Sequence, residues 1–211
     1  MTPLILASAS PRRRELLSRL GIPFDVSPTE VAEDTGADGD AQRAARRLAR
    51  LKTGAARLAT PQTPILAADT VVALDGAILG KPVDAGEARE MLRRLRARTH
   101  RVVTAVAVLP AGERSALVRH LVTEVRMRAY SDAEIEASIA RGDPFDKAGA
   151  YAIQDELFHP AESYGGCYCN VVGLPLWPAI ELLKRAGLDL SHVAADDLLP
   201  ECAACPLRPP A

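Results

Sequence analysis

The sequence predicts a mixed α/β or α+β domain in which helices pack in layers against a sheet. Helical and strand-like hydrophobic patterns alternate along most of the 211 residues, without an internal repeat or a low-complexity linker, and such alternation is typical of layered architectures. The composition, 48% hydrophobic and 25% charged, is that of a water-soluble globular protein with a full core. The length favours one large domain, and we assign residues 1–195 to it and residues 196–211 to a tail.

The charge balance and the longest uncharged stretch argue against several classes of protein. With 26 basic and 27 acidic residues the formal net charge is -1, so we expect neither a nucleic-acid partner nor a membrane partner, and any anion site must be local. Residues 163–180 are uncharged but include three glycines and two prolines, which is unlike a membrane-spanning helix. The apolar residues 4–7 precede the arginines at 12–14, the reverse of a secretory signal, so the sequence predicts a cytoplasmic protein.

The N-terminal segment predicts a strand, a tight turn and a helix. Residues 4–7 form a short apolar strand pattern. Ser10 is a typical N-cap, Pro11 suits the first helical position, and Gly21 marks the C-terminal end of the helix.

A second helix begins near Asp40, a residue type that caps helices well. Its apolar residues recur at alternating spacings of four and three, which predicts one stripe facing the core. That stripe consists of Ala44, Leu48, Leu51, Ala55 and Leu58, and Lys52 lies beside it.

A β-hairpin follows, with strands at residues 65–74 and 77–79 joined by Asp75-Gly76, which is typical of a type I′ turn. In such a hairpin the numbers of facing residues sum to a constant. This arithmetic places Lys81 opposite Thr70.

The later elements are predicted from capping and turn residues. Asp84 with Glu87, and Ser131 with Glu134, resemble capping boxes at two helix starts. Strands are expected at residues 102–109 and 117–127 and a last helix at about 178–186, whereas the remainder to Ala211 is too weakly patterned to assign.

The first helix start predicts an anion site. Arg12 and Arg13 occupy its first turn, where they oppose the helix dipole, so an anion should compensate them. Two guanidinium groups, free backbone amides and the hydroxyls of Ser8 and Ser10 would suit a polyphosphate. The alternative is a capped surface helix with solvated arginines.

Asp69 is a charge within an apolar strand, and a buried carboxylate needs a cation or a metal as partner. Lys81 is the candidate cation, although regular pleating places it on the opposite face unless Gly80 or Pro82 distorts the ladder. An edge-strand aspartate facing water is the alternative.

Patterns alone leave several polar residues open. Glu33 lies in an acidic, turn-prone stretch and looks like an ordinary loop residue. Lys147 and Gln154 are equally ambiguous. For His100, at the start of a strand, a structural role is more plausible than that of a ligand or a base.

The four cysteines all lie in the last quarter of the chain and pose a separate question. A zinc site at Cys167, Cys169, Cys202 and Cys205 is one interpretation, because thiolates bind zinc well. The first pair is spaced more tightly than usual and no histidine is well placed beside them. Inert or exposed thiols are therefore the simpler interpretation.

Taken together, successive motifs resemble those of the Maf family of nucleoside triphosphate pyrophosphatases, in order and over about residues 4–188. They lie at residues 6–13, Lys52, residues 68–72, 80–82, 99–100, 146–151 and 170–175. The resemblance implies an elongated, twisted mixed sheet with flanking helices, two lobes around a cleft, and a fold related to the inosine triphosphatases. After Gln154 the chain departs from the family pattern, because residues 155–160 replace a glycine-containing loop.

The resemblance also implies roles for individual residues. It assigns phosphate and substrate binding to Ser8, Arg12, Arg13, Thr70 and Gln154, catalytic cations to Lys52 and Lys81, and a divalent metal, Mg²⁺ or Mn²⁺, to Asp69 and Glu33. Two carboxylates among four cations would repel a phosphate unless a metal bridged them. The implied reaction is attack of water on the α-phosphorus, releasing pyrophosphate.

Within the family, the residues around Asp69 favour the branch that acts on dTTP and UTP. That branch typically has Ala-Asp-Thr on the central strand and Ala-Tyr-x-Ile-Gln later, and this chain has residues 68–70 and 150–154 in these forms. A homodimer is compatible with the resemblance. The alternative function is a nucleotide-binding regulator of septum formation without turnover.

Overall fold

The computed structural model describes residues 4–32, 39–195 and 198–208. Its strands are β1 (Ile5–Leu6), β2 (Asp25–Val26), β3 (Ile65–Leu74), β4 (Ala77–Leu79), β5 (Thr99–Leu109), β6 (Leu117–Met127) and β7 (Ala161–Gly165). Its α-helices are α1 (Pro11–Ser18), α2 (Ala41–Arg57), α3 (Ala85–Leu95), α4 (Asp132–Ala140), α5 (Tyr168–Val172), α6 (Leu176–Arg185) and α7 (Pro200–Ala203), and a 3-10 turn spans Ala148–Ala150. None of the helices in these ranges is long and apolar enough to cross a membrane.

The strands form one mixed sheet of seven strands in the order β2-β1-β3-β5-β6-β7, with β4 paired to β3. β1 runs parallel to β2 and to β3. The other pairings are antiparallel. The expectation of a mixed sheet with flanking helices is therefore confirmed.

Residues of β3 alternate between two packing partners because successive side chains of a strand point to opposite faces. Ala67 and Val71 contribute to apolar clusters with the alanines of α2. Leu66 and Ala68 join a larger cluster with α1 and α6, and Val72 joins another with α3 and α4. These two larger clusters are the cores of two lobes.

One edge of β3 is interrupted. β5 pairs with β3 along residues 65–73 on one side. On the other side, β1 pairs with Ile65 and Leu66, whereas β4 pairs with residues 72–74. Within the described chain, no strand lies beside residues 67–71 on this edge, so both faces of β3 can be reached from one opening.

The hairpin and most caps follow the sequence predictions. β4 pairs with β3 in the predicted register, with Val72 opposite Leu79, and Asp75 and Gly76 both have positive φ, as a type I′ turn requires. Ser10 and Asp40 cap α1 and α2, and Ser131 forms a complete capping box with Glu134.

The predicted core stripe of α2 is wrong in its second half. Leu51 is 44% exposed and Leu58 is 90% exposed, whereas Lys52 and Thr53 are buried. Beyond Leu48 the buried face therefore continues through Lys52 rather than Leu51. The reason is tertiary, because α2 turns Lys52 towards the carboxylate of β3.

Sequence patterns missed the short or polar elements. β2 has only two residues, β7 is mostly exposed, and α5 has five residues. The sequence predicts no element in the tail, yet α7 lies there, and Leu198 and Cys202 are buried in the apolar cluster that includes α1 and α6. The expected boundary between residues 195 and 196 stays a prediction.

Candidate active site

A cleft of about 750 Å³ opens at the interrupted edge of β3. Eight of the predicted site residues line this cleft, and several others line it with them. The eight are Ser8, Arg12, Arg13, Lys52, Asp69, Thr70, Lys81 and Gln154. The ninth, Glu33, lies outside the described residues, although Thr29, Glu30, Val31 and Ala32 just before it line the cleft.

A buried ion pair lies at the α2 side of the cleft. Lys52 Nζ donates a hydrogen bond of 2.5 Å to Asp69 Oδ1, and the two side chains are only 8% and 7% exposed. Asp69 therefore has a cationic partner of the kind that its burial requires. That partner is Lys52, and the predicted candidate, Lys81, lines the same cleft. The water-facing alternative is wrong, because β3 lies inside the sheet and Asp69 is buried.

Arg13 reaches across the cleft from α1 and is held by three oxygen acceptors. Its Nε donates to the carbonyl oxygen of Gly173 at 2.9 Å. Its Nη1 donates to Ser8 Oγ at 3.3 Å and its Nη2 to Thr70 Oγ1 at 3.1 Å. These bonds fix the position of the guanidinium group, so Arg13 is not a solvated surface residue.

A directed chain of hydroxyl groups continues from Arg13 into the sheet. Thr104 Oγ1 donates to the carbonyl oxygen of Asn170 at 2.7 Å, so it accepts from Thr70 Oγ1 at 3.0 Å. The Asn170 side chain in turn donates to the carbonyl oxygen of Val102 and to Thr123 Oγ1. The position of Arg13 thus depends on contacts between β3, β5, β6 and α5.

Asp146 also lines the cleft, where it contacts Arg12 of α1 and its neighbour Lys147. Arg12 Nη1 contacts Asp146 Oδ2 at 3.3 Å, and Lys147 Nζ donates to Asp146 Oδ1 at 2.6 Å. Partial burial raises the pKa of Asp146, but the hydrogen bond from Lys147 and the charge of Arg12 outweigh it, so the net pKa is lowered. Asp146 is therefore an anion at neutral pH that aligns two cations.

Three further polar residues line the cleft: Thr29, Lys81 and Gln154. Lys81 and Gln154 are exposed. Thr29 Oγ1 is buried and has no hydrogen-bond partner among the described residues. A ligand in the cleft would therefore meet polar groups on several sides.

His100 matches its predicted structural role. Its Nε2 lies 2.7 Å from the hydroxyl of Tyr151, and both rings are buried. Burial lowers the pKa of His100 to about 4, so the ring is neutral at physiological pH. Tyr151 lines the cleft, and this neutral pair supports the wall without adding charge.

The charges of the cleft suit a polyanion. Arg12, Arg13, Lys52, Lys81 and Lys147 line it against the described carboxylates of Glu30, Asp69 and Asp146. Sequence reasoning singled out Lys147 only within a motif and did not anticipate that Asp146 pairs with Arg12. The separation of these two residues by 134 positions left no local signal.

Residues 3–186 match a family model described as Maf-like protein. The chain belongs to the Maf family. A dTTP/UTP pyrophosphatase of Thermomicrobium roseum is 53% identical over 207 residues, which are 98% of this chain and 94% of the relative. A protein of the same name from Chromobacterium violaceum is 43% identical over 194 residues, 90% of this Maf protein and 97% of the relative.

Solved structures are more distant from this Maf protein. The Ham1 protein of Staphylococcus aureus superimposes with a TM-score of 0.45 at 14% identity, covering 86% of this chain and 96% of the other. The family assignment rests on the sequence match. It agrees with the finding that residues of the Maf motifs line one cleft.

Proposed function

We propose that this Maf protein hydrolyses dTTP and UTP to the monophosphate and pyrophosphate. The observation that carries the proposal is the cleft itself, in which cations from separate parts of the chain surround the buried Lys52–Asp69 pair. The names of the two relatives support this choice of substrate. A simple anion receptor would gain nothing from a carboxylate at the centre of its site.

The triphosphate would lie between α1 and residues 146–147. Ser8 and Ser10 begin the turn into α1, where backbone amides and the helix dipole favour an anion. Arg12, Arg13 and Lys81 would neutralise the charge that develops on the leaving pyrophosphate. Arg13 is held in advance by protein oxygens, so it would lose little freedom on binding.

A divalent cation, Mg²⁺ or Mn²⁺, fits the donor set. Mg²⁺ is commonly bound by one or two carboxylates together with substrate phosphates, and Asp69 supplies a buried carboxylate at the cleft. Asp69 and Glu33 are the residues proposed to hold the ion. When bound, it would polarise the phosphate and make a water molecule more acidic.

Asp69 would orient the attacking water and accept its proton. Lys52 keeps the Asp69 carboxylate at a fixed position through the 2.5 Å bond. The pair is nearly excluded from solvent, and electrostatic interactions are stronger in such surroundings than in water. Asp69, Glu33, Lys52 and Lys81 are therefore the proposed catalytic group.

Gln154 is the residue proposed to select the base. It lines the cleft at the end of residues 150–154, and its amide both donates and accepts hydrogen bonds. A site built on such bonds discriminates strongly against bases that leave polar groups unpaired. Pyrimidine bases are expected to fit it.

The test is a panel of nucleoside triphosphates incubated with Mg²⁺, followed by separation of the products. We expect dTTP and UTP to give equal amounts of monophosphate and pyrophosphate, with a kcat/KM well above that for ATP, GTP and 7-methyl-GTP. A ranking led by 7-methyl-GTP would overturn the substrate class alone. Nucleotide binding without pyrophosphate release would overturn the proposed reaction.

A further inference from the structure

Four cysteines that the proposed reaction does not use belong to one buried cluster of the core. All four are buried, two at the start of α5 and two in the C-terminal segment at residues 198–208. The sulfur atoms of Cys169 and Cys202 are 3.4 Å apart. The thiol of Cys167 interacts through hydrogen bonds with those of Cys169 and Cys205. The four thiols are therefore one connected cluster.

Sulfur spacing favours a metal over a disulfide. Zinc binds four thiolates as a tetrahedron with Zn–S distances of about 2.3 Å, which places sulfur atoms about 3.8 Å apart. The 3.4 Å separation of Cys169 and Cys202 is close to this edge and far from the roughly 2.05 Å of an S–S bond. As the side chains lie in the described ranges, no three residues of the metal-binding types are arranged so that they could hold an ion, so zinc binding requires the thiols to rotate.

We propose that the four cysteines together bind one zinc ion and thereby fasten the C-terminal segment to α5. Each sulfur would bind as a thiolate and release the proton that it still carries to solvent, and no electrons would be transferred. Zinc prefers such soft ligands. Inert thiols, the simpler interpretation of the sequence, leave the contacts between the two pairs unexplained.

The fastening would act on the wall of the cleft. α5 carries Asn170, which holds β5 and β6 through its side chain, and the next residues lead to Gly173, whose carbonyl oxygen accepts from Arg13. Trp177 also donates to the carbonyl oxygen of Cys202 at 3.4 Å. The ion is therefore a structural one, about which the proposed nucleotide chemistry makes no demand.

The test measures zinc on the full chain, purified without a metal-binding tag and passed over a mild chelating resin. We expect one zinc per chain, and after exchange with cobalt(II) an absorption spectrum with thiolate charge-transfer and tetrahedral d–d bands. The double variant Cys202→Ser/Cys205→Ser should lose both signals. Leu207→Ala, a matched control in the same segment, should keep them.

Two further readouts make the test independent of that variant. A strong chelator should lower the Tm of the wild-type protein, and added zinc should restore it, as expected for a structural site. Zinc that the mild resin removes, or a cobalt spectrum without charge-transfer bands, would overturn the proposal. So would a thiol titration of the denatured, unreduced protein that shows a disulfide in place of four thiols.

Discussion

On one face of β3 a carboxylate forms a short contact with a buried lysine, whereas on the other face an arginine donates to three oxygen acceptors. Asp69 and Thr70 are neighbours in sequence, yet pleating directs the first towards α2 and the second towards α1. The Lys52–Asp69 contact is buried on both sides. The Arg13 contacts are only partly buried and are shared among several elements.

This difference indicates which property of the protein each charged residue affects when it is replaced. A buried pair leaves a bare charge in the core when either partner is removed. A network with several acceptors loses one bond at a time, and each such bond to a charged group contributes about 1.5–3 kcal/mol. Stability should therefore depend more on the α2 face, and substrate binding more on the α1 face.

The largest effect is expected from Lys52→Met, which keeps the length of the side chain but leaves Asp69 buried without this partner. We expect the free energy of unfolding to fall by about 3–5 kcal/mol, measured by denaturation in urea. The double variant Lys52→Met/Asp69→Leu should recover much of that loss and remain inactive. A loss below about 1 kcal/mol in the single variant would contradict a buried, interdependent pair.

Asp69→Asn should mainly affect the reaction. The amide keeps the shape and can still accept from Lys52, but it loses the charge proposed to hold metal and water. We expect kcat for dTTP to fall by roughly 10²-fold or more, with circular dichroism unchanged. Glu90→Gln, an exposed carboxylate on α3, is the control. Activity within a few-fold of wild type would end the catalytic assignment.

Gly173→Ala probes the α1 face without removing any charge. A Cβ at residue 173 would lie 3.3 Å from Thr70 Oγ1 and 3.5 Å from Arg13 Nε, and φ is +121°. The tight contact is with Thr70, which must shift and so weaken its hydrogen bond from Arg13. We expect KM for dTTP to rise by about tenfold, equivalent to losing one charged hydrogen bond.

The control for this variant is Gly187→Ala, where φ is also positive, at +90°, but nothing lies within 4 Å of the added Cβ. It reproduces the backbone strain and not the contact with Arg13. Its KM should match that of the wild type. If both variants raise KM equally, backbone strain rather than the position of Arg13 explains the effect.

The smallest effect is expected on the outer side of α2. Leu51 is 44% exposed, so Leu51→Gln should change the free energy of unfolding by no more than about 0.5 kcal/mol. Leu48 is buried, and Leu48→Ala should cost about 2–5 kcal/mol. Denaturation of the two variants side by side checks which face of α2 packs on the sheet.

The sequence predicted features that depend on neighbouring residues and missed those that depend on distant ones. Turn chemistry at Asp75-Gly76 determined the hairpin register, and capping residues determined the starts of α1, α2 and α4. The contact of Asp69 with Lys52 was missed because Lys52 approaches from a helix whose rotation is decided by packing. The same rotation moved Leu51 out of the core.

The sequence predicted which residues form the candidate site but not the hydrogen bonds and ion pairs between them. Eight of its residues do meet in one cleft, because the family motifs carry them. Hydrogen bonds from Arg13 to Gly173 and from Arg12 to Asp146 span 160 and 134 positions, and no periodicity encodes such contacts. For the same reason, the sequence alone does not decide whether the two cysteine pairs meet.

The interrupted edge of β3 also bears on the solubility of the protein. A strand edge without a neighbour invites pairing with the strand of another molecule, and natural sheets often protect such edges with charges that point inward. Asp69 is a charge of this kind in the middle of an otherwise aggregation-prone segment, Ile65–Leu74. The residue proposed to orient water is therefore also expected to disfavour assembly of the strand with its copies during folding.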